Sequence, residues 1–140
     1  MRFIYKIGQA AVGYSLTLAC HTAVADVVVV VSATSTVTTL SQQQIAAIFL
    51  GNNARLPDGE QVVPFDQTEG SGTRDEFYAK FTGKSAAQIK THWSKIIFTG
   101  RGQPPKELSS AEVKKQLAAS PHAIGYIEKN MLDATLRVVN

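Results

Sequence analysis

Asp66-Gln67-Thr68-Glu69-Gly70-Ser71-Gly72-Thr73-Arg74 is the segment whose residue types and spacing can do chemistry. It leaves an apolar strand and enters a helix. Gly70 and Gly72 allow a tight turn and a close approach of backbone to a ligand, since no Cβ intervenes. The first amide N–H groups of a helix have no partners within it, and the dipole there is positive. Ser71 and Thr73 add hydroxyl donors, and Arg74 adds a charge. Such a front suits a tetrahedral oxyanion. The same residues also read as a plain helix start. Thr73 to Glu76 fits a capping box that would satisfy the front from within, and Glu69, Asp75 and Glu76 place negative charge beside it.

Other chemistry is sparse. Gly83-Lys84-Ser85 imitates the end of a phosphate-binding P-loop, but Tyr78 stands where the motif needs glycine, so Gly83 reads as a helix stop and Ser85 as a cap. Phe98 to Lys106 is a basic, Gly- and Pro-rich connector that reads as a solvated link between helices or as the border of a ligand cleft or partner surface, with Arg101 its main candidate for such a contact. His92 and His122 have no metal-ligand spacing and no cysteine partners, so no metal site is expected. Neither histidine has an evident nucleophile, and Asp58, Asp66 and Asp75 form no acid/base pair by spacing. The chain therefore reads as non-catalytic, with no cofactor.

The elements around that segment are legible in order. Val27 to Val31 reads as a strand buried on both faces, and Ser32 to Thr39 as a loop. Ser41 and Gln44 form a capping box, with Leu40 and Ile45 as its apolar staple. Ile45, Ile48 and Phe49 keep helical spacing up to Gly51. Pro57-Asp58-Gly59 is a turn, and Val62 to Phe65 a short strand. Helices are expected over Thr73–Phe81, Ser85–Ile97 and Ser109–Ala119, the last two with their own capping boxes. Ile89, Trp93, Ile96 and Ile97 form the apolar face of the second of these. Ala123–Ile127 and Ala134–Val139 read as strands, with Gly125 marking close backbone approach. Helices interleaved with apolar strands give an α/β domain with a mixed central sheet flanked by helices.

Composition bounds the rest. The chain has 140 residues, enough for one domain, and its 44% hydrophobic and 18% charged residues are those of an ordinary globular protein. One cysteine excludes a disulfide framework. Arg2 and Lys6, the apolar stretch Ile7 to Cys20, and Ala23-Val24-Ala25 before Asp26 have the layout of a cleaved secretory signal. Residues 1–25 are thus expected to be a signal peptide and 26–140 an exported, periplasmic domain without a membrane span. Thr17 departs from the lipid-attachment pattern before Cys20, which reads as part of the signal. Without Arg2 and Lys6 the basic and acidic residues number 12 and 11, so no nucleic-acid partner is expected.

Five ordered blocks resemble the PstS-like substrate-binding proteins of phosphate ABC transporters, type II periplasmic binding proteins. They are Leu40-Ser41 through Gly51, Pro57-Asp58-Gly59, Val62 through Arg74, Phe98-Thr99-Gly100, and Pro121 through Ile127. The resemblance implies a single lobe of that fold, phosphate or a related oxyanion as ligand, and Ser71, Gly72 and Thr73 as its contacts. It further implies a second lobe and a permease as partners. The family's clamping arginine is replaced by Gln67, and Arg101 could supply the missing charge from another direction. The family's other lobe, with the acidic residue that accepts the ligand's proton, has no counterpart here. An interaction module that has kept the lobe but lost transport is the rival reading.

Overall fold

The valine run forms β1 (Val27–Ser32), every residue of which is buried. Val27, Val29 and Val31 enter one core, and Val28 and Val30 enter the other. Alternation along a strand thus feeds two layers, which is why a run with no polar partner residues is tolerated. These coordinates come from a computed structural model, which describes residues 26–53, 55–56 and 58–140. The signal-peptide expectation and Pro57 of the expected turn fall outside those residues.

Among the described residues, four helices and five strands follow the order β1, α1 (Gln42–Phe49), β2 (Val63–Gln67), α2 (Gly72–Thr82), α3 (Ala86–Phe98), β3 (Lys106–Leu108), α4 (Ser110–Ala119), β4 (Ala123–Glu128), β5 (Leu136–Val138). A short 3-10 turn, Lys129–Met131, joins the last two strands. The capping boxes of Ser41 with Gln44, Ser85 with Gln88 and Ser109 with Glu112 all form. Leu40 and Ile45, the expected staple, are both buried in the same core.

The sheet runs β3-β2-β4-β1-β5. β2 lies parallel to β3 and to β4, whereas β1 is antiparallel to β4 and β5. The larger core packs α1, α2 and α3 on one face, and α4 covers the other through Val113 and Leu117. This is the mixed α/β sheet flanked by helices that the sequence implies.

Three details differ from the sequence reading. β3 begins at the last residue of the expected Phe98–Lys106 connector, and the sequence does not signal it, because Lys106-Glu107-Leu108 carries only one apolar residue. β2 extends through Asp66 and Gln67, so the turn begins two residues later than the apolar run suggests. Ile97 is 49% exposed and leaves the apolar face of α3, which rests on Ile89 and Trp93.

Candidate anion site at the carboxyl edge of the sheet

The three parallel strands β2, β3 and β4 end on the same edge of the sheet. α2 leaves β2 along one face, and α4 leaves β3 along the other. Two helix N-termini therefore flank the carboxyl ends of the strands where the chain switches sides. In open α/β sheets such a switch point is where ligands lie.

At the start of α2 the chain reverses through Gly70, whose φ of 89° a side chain would resist. Ser71 is the N-cap, and its Oγ accepts from the Arg74 N–H at 3.2 Å. The expected box from Thr73 to Glu76 does not form. With Ser71 as cap, the third helical residue is Arg74, which has no carboxylate to return to the cap. Among the described residues the N–H groups of Gly72 and Thr73 find no protein acceptor.

A carboxylate nevertheless lies at this front, and it belongs to Glu128 at the end of β4. Thr73 Oγ1 donates to Glu128 Oε1 at 2.6 Å. Ser110 Oγ, in the first turn of α4, lies 2.9 Å from Glu128 Oε2 and 3.0 Å from Gln67 Oε1. One carboxylate thus bridges the starts of both helices. Partial burial alone would raise its pKa, but hydrogen bonds from Thr73, its own backbone and Ser110 outweigh this and leave it below the usual carboxylate value.

Gln67 supports this arrangement from beneath. It is buried, its Nε2 donates to the Tyr126 carbonyl at 2.9 Å, and its Oε1 faces Ser110. Arg74 turns inward. Its Nε lies 3.3 Å from Asp66 Oδ2, and only 9% of the residue is exposed. Burial would lower its pKa, but the Asp66 carboxylate more than offsets that and holds the guanidinium above its usual value. Asp66 is also bonded by Tyr78 Oη at 2.6 Å, by Tyr126 Oη and by the Gln67 N–H. Arg74 therefore neutralises a buried acid under the site instead of adding charge in front of α2. Arg101 is exposed in the loop after α3, and no hydrogen bond or ion pair ties it to the α2 front.

Among the described residues, neither Glu69 nor Glu76 accepts a hydrogen bond from the Gly72 and Thr73 amides. Glu69 pairs with Lys90 at 3.8 Å, and its N–H donates to Glu107. The Glu76 carboxyl is held above its usual pKa by burial and by Asp26 and Glu128, against the pull of Lys80. Sequence reasoning missed Ser110 and Glu128. Glu128 ends β4 and Ser110 opens α4 just after β3, so recognising β3 exposes the switch point that brings them together.

Known proteins place this architecture. Residues 18–139 match the model of the family described as PBP superfamily domain. No curated protein matches the chain in sequence. Several solved structures share the fold over 81% of this chain, three of them as follows. An ABC-type phosphate transport receptor from Vibrio cholerae aligns with TM-score 0.63 and 17% identity over 45% of its own length. A putative phosphate ABC transporter substrate-binding protein from Clostridium perfringens, solved with bound phosphate, aligns with TM-score 0.63 and 21% identity over 44% of its length. PstS from Borrelia burgdorferi aligns with TM-score 0.58 and 16% identity over 46% of its length. The chain spans less than half the length of each, as one lobe of a two-lobed fold would. With a family match across most of its residues, the chain belongs to the PBP superfamily domain family.

Proposed function

We infer that this is an exported, non-catalytic solute-binding-type lobe that takes phosphate or a related oxyanion at the start of α2. The supporting observation is the pair of unpartnered N–H groups on Gly72 and Thr73, at a glycine-preceded helix front on the carboxyl edge of the sheet. The hydroxyls of Ser71 and Thr73 complete the contact set, with Gly70 providing the turn. Gln67 acts by holding Ser110, and Arg74 by neutralising Asp66. The fold neighbours include a phosphate transport receptor and a putative phosphate ABC transporter substrate-binding protein, which favours the same ligand and an uptake role beside an ABC permease.

Glu128 sets the affinity. An oxyanion on the amides meets a fixed negative charge on Thr73 Oγ1 and must displace it or lie beside it. About four contacts near 1 kcal/mol each give roughly millimolar affinity for a half-solvated site. Removing the charge in Glu128→Gln relieves about 1 kcal/mol of repulsion and tightens phosphate about fivefold. Thr73→Val weakens it. Isothermal titration of the protein and both variants with phosphate and with sulfate tests this. Absence of heat and of any thermal shift at roughly 30 mM phosphate, in protein and Glu128→Gln alike, rejects oxyanion binding.

The second reading, an interaction module, is favoured by that same Glu128 contact. A carboxylate already bonded to the Thr73 and Ser110 hydroxyls opposes an anionic guest at the amides beside it. Indifference of both proteins to oxyanions is its outcome.

A further inference from the structure

Charge along this chain is unevenly placed. From Lys80 through Lys106 there are six basic residues and no Asp or Glu, whereas the chain as a whole has 14 and 11. This stretch contains α3, whose inner face rests on the core through Ile89 and Trp93. Its outer face carries two open hollows that share Ala87, Thr91 and Lys95. Lys84 and His92 line one. Lys90, Ser94 and Phe98 line the other, of about 720 Å³. No acidic residue lines either, and among the described residues the one ion pair to a lysine of this face is that of Lys90 with Glu69, at 3.8 Å.

Phe98 caps the patch. It is 92% exposed, the largest exposure of any large apolar residue described, and Ile97 beside it is 49% exposed. One turn beyond lies Arg101, whose N–H closes the end of the helix on the Ile96 carbonyl at 3.0 Å. An aromatic ring held in water at the tip of a cationic helix buries nothing in its own fold. Its apolar surface is a gain in waiting for a partner.

We propose that the outer face of α3 docks on an anionic lipid surface, with Lys84, Lys90, Lys95 and Arg101 meeting headgroups and Phe98 entering the interface. Three of the four cations are lysines, which are depleted in protein–protein interfaces but suit a diffuse field of phosphates. The aromatic ring beside long cationic side chains fits the headgroup boundary, where the ring reaches acyl chains while the charges stay at phosphate depth. Among the described residues no helix is long and apolar enough to cross a membrane, so this contact is peripheral. It rests on α3 alone and holds whether or not the start of α2 takes an anion.

Co-sedimentation of the full-length protein, purified from its soluble fraction, with vesicles of phosphatidylcholine alone or with added phosphatidylglycerol tests the proposal. Binding is expected only with phosphatidylglycerol, and it weakens as salt rises. Lys95→Glu with Arg101→Glu is expected to weaken it by about 100-fold or more, since each cation near such a surface contributes roughly fivefold. Phe98→Ser, at a fully solvated position that folding does not use, weakens it about tenfold. Phe98→Trp acquires emission that brominated lipids quench beyond any quenching of Trp93. Equal binding to both vesicle types, or no binding, overturns the proposal. So does a Phe98→Ser protein that binds as before, which would mark bare electrostatics. Binding to an acidic protein with none to vesicles would assign the face to a protein partner instead.

Discussion

Asp66 shows how a single residue under the site governs its surroundings. Its carboxylate is fully enclosed and takes hydrogen bonds from Tyr78, Tyr126 and the Gln67 N–H, with Arg74 as its counter-charge. Burial and the negative Asp66 push both tyrosine hydroxyls well above their ordinary pKa. The linkage has a definite sign. The folded pKa values exceed the unfolded value near 10, so these groups' contribution is complete below pH 10. It is lost as pH rises, because unfolded tyrosines release protons that folded ones keep. Two such groups give a slope of up to about 2.7 kcal/mol per pH unit. An alkaline titration followed at the tyrosinate absorbance and by circular dichroism is expected to show both tyrosines ionising together with loss of structure. Smooth ionisation in a folded protein would contradict it. The network was half legible: Asp66 and Arg74 stood out as a turn acid and a helix-start base. The enclosure of that pair was not, because Tyr126, which also bonds Asp66, comes from β4, sixty residues away.

Elements were read well where local chemistry is strong. Three capping boxes fixed three helix starts, and the valine run fixed β1. The cap of α2 lies two residues before the one that the Thr73 and Glu76 imitation of a box suggests, since the true cap, Ser71, follows the glycine that turns the chain. β3 escaped because pairing with β2, and not its own sequence, makes it a strand. Gly125 is an element-scale requirement that the sequence did signal. A Cβ there would lie 2.7 Å from Val113 Cγ1 and 3.2 Å from Leu117 Cδ1. α4 therefore rests directly on the bare backbone of β4. Gly125→Ala is expected to lift the helix off the sheet and cost about 1–3 kcal/mol, read as a lowered urea midpoint with unchanged slope. Because α4 carries Ser110, the same variant is expected to loosen the Glu128 bridge. Its phosphate response would then move toward that of Glu128→Gln. A variant as stable as the parent would mean that α4 does not need this contact.

At the scale of the molecule, the carboxyl edge of the sheet belongs to a chain whose match covers only 44–46% of each of the three neighbours that share the fold. Closing two lobes strengthens charge-assisted hydrogen bonds by removing water, and one lobe lacks that gain. The physical consequence is a link between affinity and assembly. If a second copy covers the edge, each phosphate stabilises the pair, so mass and affinity must rise together with protein concentration. If the lobe acts alone, affinity is independent of concentration and stays near millimolar. The Glu128 bridge argues for the second case. An internal carboxylate at Thr73 and Ser110 gives the edge a partner already, and a copy brought against it would face that charge as well. We therefore expect light scattering to report a constant monomer mass, with and without phosphate, across a wide concentration range. Mass doubling that appears only with phosphate would instead assign the missing face to another copy of this chain. It would also require Glu128 to leave the crevice, which Glu128→Gln would then make easier at lower phosphate.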